Sequence, residues 1–142
     1  MRVFIFVFVV LCWACSVKPE PLMFGKDQCY SCKMILMDER FGAELVTKKG
    51  KVYKFDDVNC LFQFYNDTQG SDDFQYKLVI DFLQPKKLIN AEEASYLQSP
   101  NIKSPMASQV AAFESENAAN KLLQEWQAQP FTWSELKNVL HK

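Results

Sequence analysis

Sulfur side chains are concentrated in one short segment, "DQCYSCKMILMDE" at residues 27–39, which contains Cys29, Cys32, Met34 and Met37. The whole chain has only 5 Cys and 5 Met among its 142 residues. Thiolates and thioethers are soft ligands that favour Cu(I), whereas hard cations prefer oxygen ligands. The segment therefore predicts a site for a soft metal ion.

Two other uses of the cysteine pair stay open at this point. A structural zinc site needs four ligands, and beyond Cys29 and Cys32 the chain offers only Cys60 and His141 as plausible Cys or His additions, neither at zinc-finger or ribbon spacing. A Cys-x-x-Cys pair outside the cytosol can also form a reactive or structural disulfide. Here the pair precedes a predicted hairpin, unlike the strand-to-helix position of thioredoxin-like motifs.

The methionines and Cys60 each have a structural alternative to metal binding. Met37 is expected to pack in the core, because Met fills irregular gaps there. For Met34, two residues after Cys32, packing and metal binding remain equally open. Cys60 stands beside Leu61 on a predicted helix and is expected to be a small buried hydrophobe.

The N-terminus differs from the rest of the chain. Arg2 is followed by "VFIFVFVVLCWA", which is apolar throughout residues 3–14. As a helix this run would cover roughly 18 Å, less than the roughly 30 Å of a bilayer core. A secretory signal is therefore favoured over a membrane span, with a buried core strand as the alternative.

A lipid-attachment site is expected directly after this run. "VLCWACS" resembles a bacterial lipoprotein cleavage box, with small Ala14 before Cys15, although Trp13 is bulkier than usual. We expect residues 1–14 to be the signal peptide, Cys15 to be lipidated and residues 15–26 to form a tether. Such a protein is anchored to a membrane of the cell envelope and faces the periplasm.

Charge and motif content exclude several function classes. The formal net charge is -1, so there is no electrostatic footprint for nucleic acid, and no run of Lys or Arg indicates an acidic membrane surface as partner. The sole His is the penultimate residue, and neither a Ser/His/Asp set nor a Gly-rich phosphate loop can be assembled. We expect a protein without catalytic activity.

The first half of the folded part predicts a hairpin, a helix and a strand. "AELVTKKGKVYKF" (43–55) alternates on both sides of a Lys-Gly turn, as hairpins do. The next segment has apolar residues at helical spacing from Val58 to Tyr65, with Asp56 and Asp57 as candidate caps. Residues 76–85 then form a strongly apolar strand that is expected to be central in a sheet.

The second half repeats this order loosely. It predicts strands at residues 94–97 and 108–113, a helix over 114–129 that ends before Pro130, and a last helix that begins with a capping pattern at Thr132. The predicted fold class is α+β, with two strand-strand-helix (β-β-α) units and a C-terminal helix in one domain, residues 27–142.

Three segments together resemble the NosL family of lipoprotein copper chaperones, which are associated with nitrous oxide reductase maturation. They are "CYSCKM", "YKFDDVNCLFQFY" and "SPMASQVAAFESENAANKLLQEW", and the resemblance extends from about residue 27 to 126. It implies a fold of two β-β-α units and Cu(I) binding. Matched position by position, it implies metal roles for Cys29, Cys32, Met34 and Met106.

Two positions depart from the family pattern. Lys33 stands where the family usually has Gly, and Ala107 stands where some members have His. The resemblance implies a monomeric copper chaperone that delivers Cu(I) to a cuproenzyme, with nitrous oxide reductase as the client named by the family. The leading alternative is a thiol-disulfide protein of the same compartment that uses Cys29 and Cys32.

Overall fold

The computed structural model describes residues 16–68 and 73–140. The predicted signal peptide, Cys15 and His141 lie outside these residues. The elements follow in the order β1 (Ala43–Thr47), β2 (Val52–Phe55), α1 (Val58–Asp67), β3 (Phe74–Ile80), β4 (Leu88–Asn90), β5 (Ser95–Gln98), β6 (Val110–Phe113), α2 (Glu116–Leu123), β7 (Gln129–Phe131) and α3 (Trp133–Val139).

The first sheet has the strand order β2-β1-β3-β4 and is antiparallel throughout. The predicted hairpin is confirmed, since β1 pairs with β2 from Ala43 opposite Phe55 to Val46 opposite Val52. The strand β3 is interior, as its apolar sequence predicts. The helix α1 begins after Asp57, whose side chain accepts a hydrogen bond from the Asn59 N–H.

The second sheet has the order β6-β5-β7 and repeats the connectivity of the first. In each half a hairpin is followed by a helix, and the strand after that helix pairs with the first strand of the hairpin. The predicted combination of α-helices and β-strands is therefore confirmed, as two antiparallel sheets with three helices. The repeat lies in the topology, although no repeat is visible residue by residue.

The second half also contains differences from the predicted elements. The helix α2 ends at Leu123 rather than near residue 129, and the residues that follow lead into β7. Pro130 lies within β7, which a sequence pattern does not favour. This strand is at the edge of its sheet, where a missing N–H is tolerated. The short strand β4 was not predicted either.

The larger of two hydrophobic clusters joins the first sheet, α1 and α3, and it includes Phe55, Phe62 and Trp133 together with Cys29 and Cys60. The capping box predicted at Thr132 is present and fixes the start of α3. The smaller cluster lies beneath α2. The cysteines are thus held at one margin of a packed core.

The segment expected to be a tether packs on the first sheet over its described residues. Leu22 is buried, and the Glu20 N–H donates to Glu44 Oε1 at 2.9 Å. Lys54 donates to the Pro21 carbonyl at 3.2 Å. Among the described helices, none has the length and apolar character required to cross a membrane.

Candidate metal centre

Four side chains from three parts of the chain converge at the end of β2. The ligand atoms of Cys29, Cys32, Asp56 and Cys60 all lie within 4.8 Å of one another. Two sulfur atoms bound to one ion at about 2.3 Å each can be at most about 4.6 Å apart. The bound of 4.8 Å on the separations within the cluster is therefore close to the largest that a single-ion site allows.

A tight loop positions the Cys-x-x-Cys pair. The Cys29 N–H donates to the Met34 carbonyl at 2.8 Å, and the Lys33 N–H donates to the Cys29 carbonyl at 3.0 Å. Lys33 adopts a φ of 66°, in the left-handed region that favours glycine. This conformation explains why a glycine suits the position where Lys33 departs from the family pattern.

The hairpin and the first helix supply the other two side chains. Asp56 follows β2 directly, and Cys60 lies four residues later in the first turns of α1. The Ser31 hydroxyl donates to the Cys60 carbonyl at 2.9 Å, which ties the cysteine loop to the helix. The Cys32 thiol donates to Asp56 Oδ1 at 3.5 Å.

Mutual hydrogen bonds make one cysteine the preferred anion of the cluster. A hydrogen bond from the Cys60 thiol holds the pKa of Cys29 well below its usual range, with further help from the N–H groups of Cys32 and Asp56, although burial opposes this. The same bond to Cys29, together with burial, raises the pKa of Cys60. The lowered pKa means that the ionised form is favoured at Cys29 over Cys60.

Burial dominates at the other two members. It raises the pKa of Cys32 and the pKa of Asp56, and the nearby Cys29 sulfur contributes in the same direction at Asp56. Cys32 is only partly buried, whereas the other three members are buried. An ion can therefore be reached from the side of Cys32.

Met34 lines a cavity that Asp56 also lines, and Met106 follows two other residues of that lining, Ser104 and Pro105. Met34 is 52% exposed and lines a cavity of about 260 Å³ together with Asp56, Ser104 and Pro105. Met106, which follows Pro105, is partly buried and packs against the larger hydrophobic cluster, which contains Cys29 and Cys60. Its N–H donates to Asp57 Oδ2 at 3.0 Å.

Three sequence interpretations change with this geometry. Met37 is 71% exposed, so the prediction that it packs in the core was wrong. Cys60 is buried as expected, but its sulfur belongs to the cluster. Asp56 was interpreted only as a candidate helix cap, a role that Asp57 has. No spacing rule groups Asp56 with Cys60, because Asp56 precedes the N-cap residue Asp57 and lies outside the helix.

The donor set is three thiols and one carboxylate, and all three described cysteines are free of disulfide bonds. Thiolates favour Cu(I), and a tetrahedral set of sulfur with one oxygen also fits Zn(II). The arrangement can hold one soft or borderline ion in a pocket that is open on one side.

The chain matches one family model and resembles a solved structure. The NosL family model matches residues 22–140. Among solved structures, the crystal structure of the copper chaperone NosL from Shewanella denitrificans is similar, with a TM-score of 0.71 and 20% sequence identity, covering 84% of this chain and 96% of that one. At this identity the similarity shows the fold. No curated protein matches the sequence.

Proposed function

This chain belongs to the NosL family, and from that premise we propose that it is a copper chaperone which binds Cu(I) and passes it to a cuproenzyme. The observation that carries the proposal is the convergence of Cys29, Cys32 and Cys60 with Asp56 within 4.8 Å, open on one side. A sulfur-dominated site prefers Cu(I) over harder ions. The proposed role of the site is to carry the ion to a partner, because one side of the site stays open to an incoming ligand.

Binding begins at the most readily ionised thiol. Cys29 supplies the first thiolate, and its neighbours Cys60 and Cys32 complete a low-coordinate sulfur shell as the ion displaces their protons. Met34 and Met106 are the proposed thioether donors on the open side, where one of them at a time fills the fourth position of the shell. A neutral thioether is easier to displace than a thiolate, so an incoming ligand from the acceptor protein would replace it first.

The proposal includes the cellular location of the protein. Cys15 is lipidated after removal of residues 1–14, and the domain works as a monomer on the periplasmic side of a cell-envelope membrane. The transfer partner is a cuproenzyme, and the family association nominates nitrous oxide reductase.

Zinc is the second candidate for the same site. Three cysteines and one aspartate form a complete four-ligand set, and zinc sites of this composition are tetrahedral. A closed four-ligand zinc site is structural, so zinc binding here would leave the domain without a carrier role. The partial exposure of Cys32 argues against such a closed site.

The decisive experiment compares metal uptake with thiol chemistry in the purified, reduced protein. We expect one Cu(I) per chain with submicromolar or tighter affinity in competition with a Cu(I) chelator, preference for Cu(I) over Zn(II), and little insulin-reductase activity. Met23→Leu is the control variant, because Met23 is the methionine of the described residues that is neither a proposed thioether ligand nor part of the segment 27–39. High insulin-reductase turnover without copper uptake would instead support the thiol-disulfide alternative.

A further inference from the structure

The described N-terminal residues extend along the first sheet to the tip of the β1–β2 hairpin. The Val17 Cγ2 atom lies 3.9 Å from the position that a Cβ would take on Gly50, in the hairpin turn. The Tyr76 hydroxyl donates to the Val17 carbonyl at 3.5 Å. Val17 is two residues after Cys15, so a lipid attached to Cys15 would begin within about 7 Å of Val17.

This hairpin tip carries a local excess of positive charge that the net charge of the chain conceals. Lys48, Lys49 and Lys51 surround Gly50, Lys18 follows Val17, and all four lysines are exposed. Among the described residues, no salt bridge involves Lys18, Lys48 or Lys49.

We define the basic face as Lys18, Lys48, Lys49 and Lys51. Two nearby groups, Tyr53 and Asp73, contact these lysines without removing their charge. The Lys51 ammonium lies 4.7 Å from the centre of the Tyr53 ring, a contact that keeps its charge. Exposed Asp73 accepts a hydrogen bond from the Lys48 N–H, but through its backbone carbonyl. The basic face therefore keeps a positive balance over the described residues.

The turn holds these lysines in a fixed direction. The Gly50 N–H donates to the Thr47 carbonyl at 2.9 Å, and the Lys51 N–H donates to Thr47 Oγ1 at 2.9 Å. Gly50 supplies the positive φ of 85° that the turn needs. The backbone that carries Lys48, Lys49 and Lys51 is therefore closed into a hydrogen-bonded turn.

The candidate metal centre lies at the opposite end of the same hairpin. Asp56 directly follows β2, whereas Gly50 precedes it in the turn. At about 3.3 Å per residue, an extended chain from Gly50 to Asp56 spans roughly 20 Å. A surface that contacts the tip would leave the metal centre on the far side.

We propose that the basic face is a docking site for the anionic headgroups of the membrane in which the protein is anchored, and that this contact directs the metal centre away from the bilayer. The inference rests on the lipid anchor at Cys15 that forms part of the proposed function. Each lysine near an anionic surface strengthens its association by roughly fivefold, and the attraction fades within about 10 Å. Because a lipid on Cys15 is two residues away from Val17, which lies at the tip, these lysines come within that distance.

The test maps lysine accessibility in the intact lipidated protein, reconstituted in vesicles of equal phosphatidylglycerol and phosphatidylcholine or of phosphatidylcholine alone. A water-soluble amine reagent followed by mass spectrometry gives the modification rate of each lysine. We expect Lys48 and Lys49 to react at least about fivefold more slowly in the anionic vesicles than in the neutral ones. Salt at about 0.5 M should abolish this protection, because it screens the charges. Exposed Lys103 and Lys121 serve as internal controls whose rates stay unchanged.

Charge reversal provides a matched comparison. Lys48→Glu/Lys49→Glu should abolish the protection of Lys18, whereas Lys103→Glu/Lys121→Glu, with the same change in charge, should preserve it. Equal protection in both vesicle types, or none in either, would overturn the inference. The intact mass reports the anchor separately: protection of an unlipidated chain by added anionic vesicles would keep the docking face while rejecting lipidation at Cys15.

Discussion

Asp57 and Met106 connect the two halves of the chain at the candidate metal centre. One oxygen of the Asp57 carboxylate accepts the Asn59 N–H and caps α1, and the other accepts the Met106 N–H at 3.0 Å. Asp57 neighbours Asp56, which belongs to the cluster. The start of α1 and the loop before β6 are thus held together by a single side chain.

Replacing Asp57 should therefore separate capping from loop placement. Asp57→Asn keeps an oxygen to cap the helix but removes the second acceptor, so we expect a loss of about 1 kcal/mol in the free energy of unfolding and weaker Cu(I) retention. Ser115→Ala, which removes the cap of α2, is the matched control and should lower stability similarly without affecting copper. Denaturant unfolding and chelator competition measure the two quantities. If both variants have the same copper affinity, the position of the Met106 loop does not affect metal binding.

The thioether of Met106 can be tested without disturbing its packing. Met106→Leu keeps volume and apolarity, so stability should change by less than roughly 1.5 kcal/mol. Copper retention should fall, but less than for Cys29→Ser, because a thiolate contributes charge as well as sulfur. If chelator competition gives the same affinity as the parent protein, Met106 is only a packing residue of the loop.

The left-handed residue in the cysteine loop gives a prediction about strain. Lys33→Gly should raise the free energy of unfolding by up to about 1 kcal/mol, because glycine adopts a positive φ without steric cost. Lys86→Gly is the control, since Lys86 has a nearly identical φ of 68° and lies outside the cluster. Thermal or denaturant unfolding should show a gain for both variants. The Lys33 ammonium donates to the Tyr30 carbonyl and lies 4.5 Å from the centre of the Tyr30 ring. A loss of stability for Lys33→Gly alone would mean that these contacts outweigh the strain.

Buried Glu44 should make stability depend on pH. Burial raises the pKa of Glu44, and no partner among the described residues accompanies its Oε2 atom. A raised pKa means that the folded state resists ionisation, so stability is lost as pH rises from the unfolded pKa of about 4.3 through the folded value. Glu44→Gln should remove this loss, whereas exposed Glu93→Gln should not. Parallel pH profiles for the parent and Glu44→Gln proteins would contradict the assignment.

Local sequence patterns accounted for the elements whose signals are local. The β1–β2 hairpin, the cap of α1 and the capping box of α3 all follow from spacing within about a dozen residues. The strand β7 was missed because Pro130 argues against a strand, and only its position at a sheet edge makes it acceptable.

Within the candidate site, too, only the residues with local spacing could be predicted from the sequence. The Cys29 and Cys32 pair is visible in the sequence because its spacing is local. The participation of Asp56 and Cys60 depends on how the hairpin and α1 pack against the cysteine loop, which no spacing specifies. Met37 was misassigned because side-chain type alone does not distinguish a packed methionine from one at an open cavity.

X-ray absorption at the copper edge, on the Cu(I)-loaded protein and its Cys60→Ser variant, tests the proposed copper site most directly. We expect a shell dominated by sulfur at about 2.3 Å in the parent protein and one sulfur fewer in the variant. Met23→Leu should reproduce the parent spectrum. A parent shell dominated by nitrogen or oxygen, or a sulfur count unchanged in Cys60→Ser, would contradict a copper site built on the three clustered cysteines.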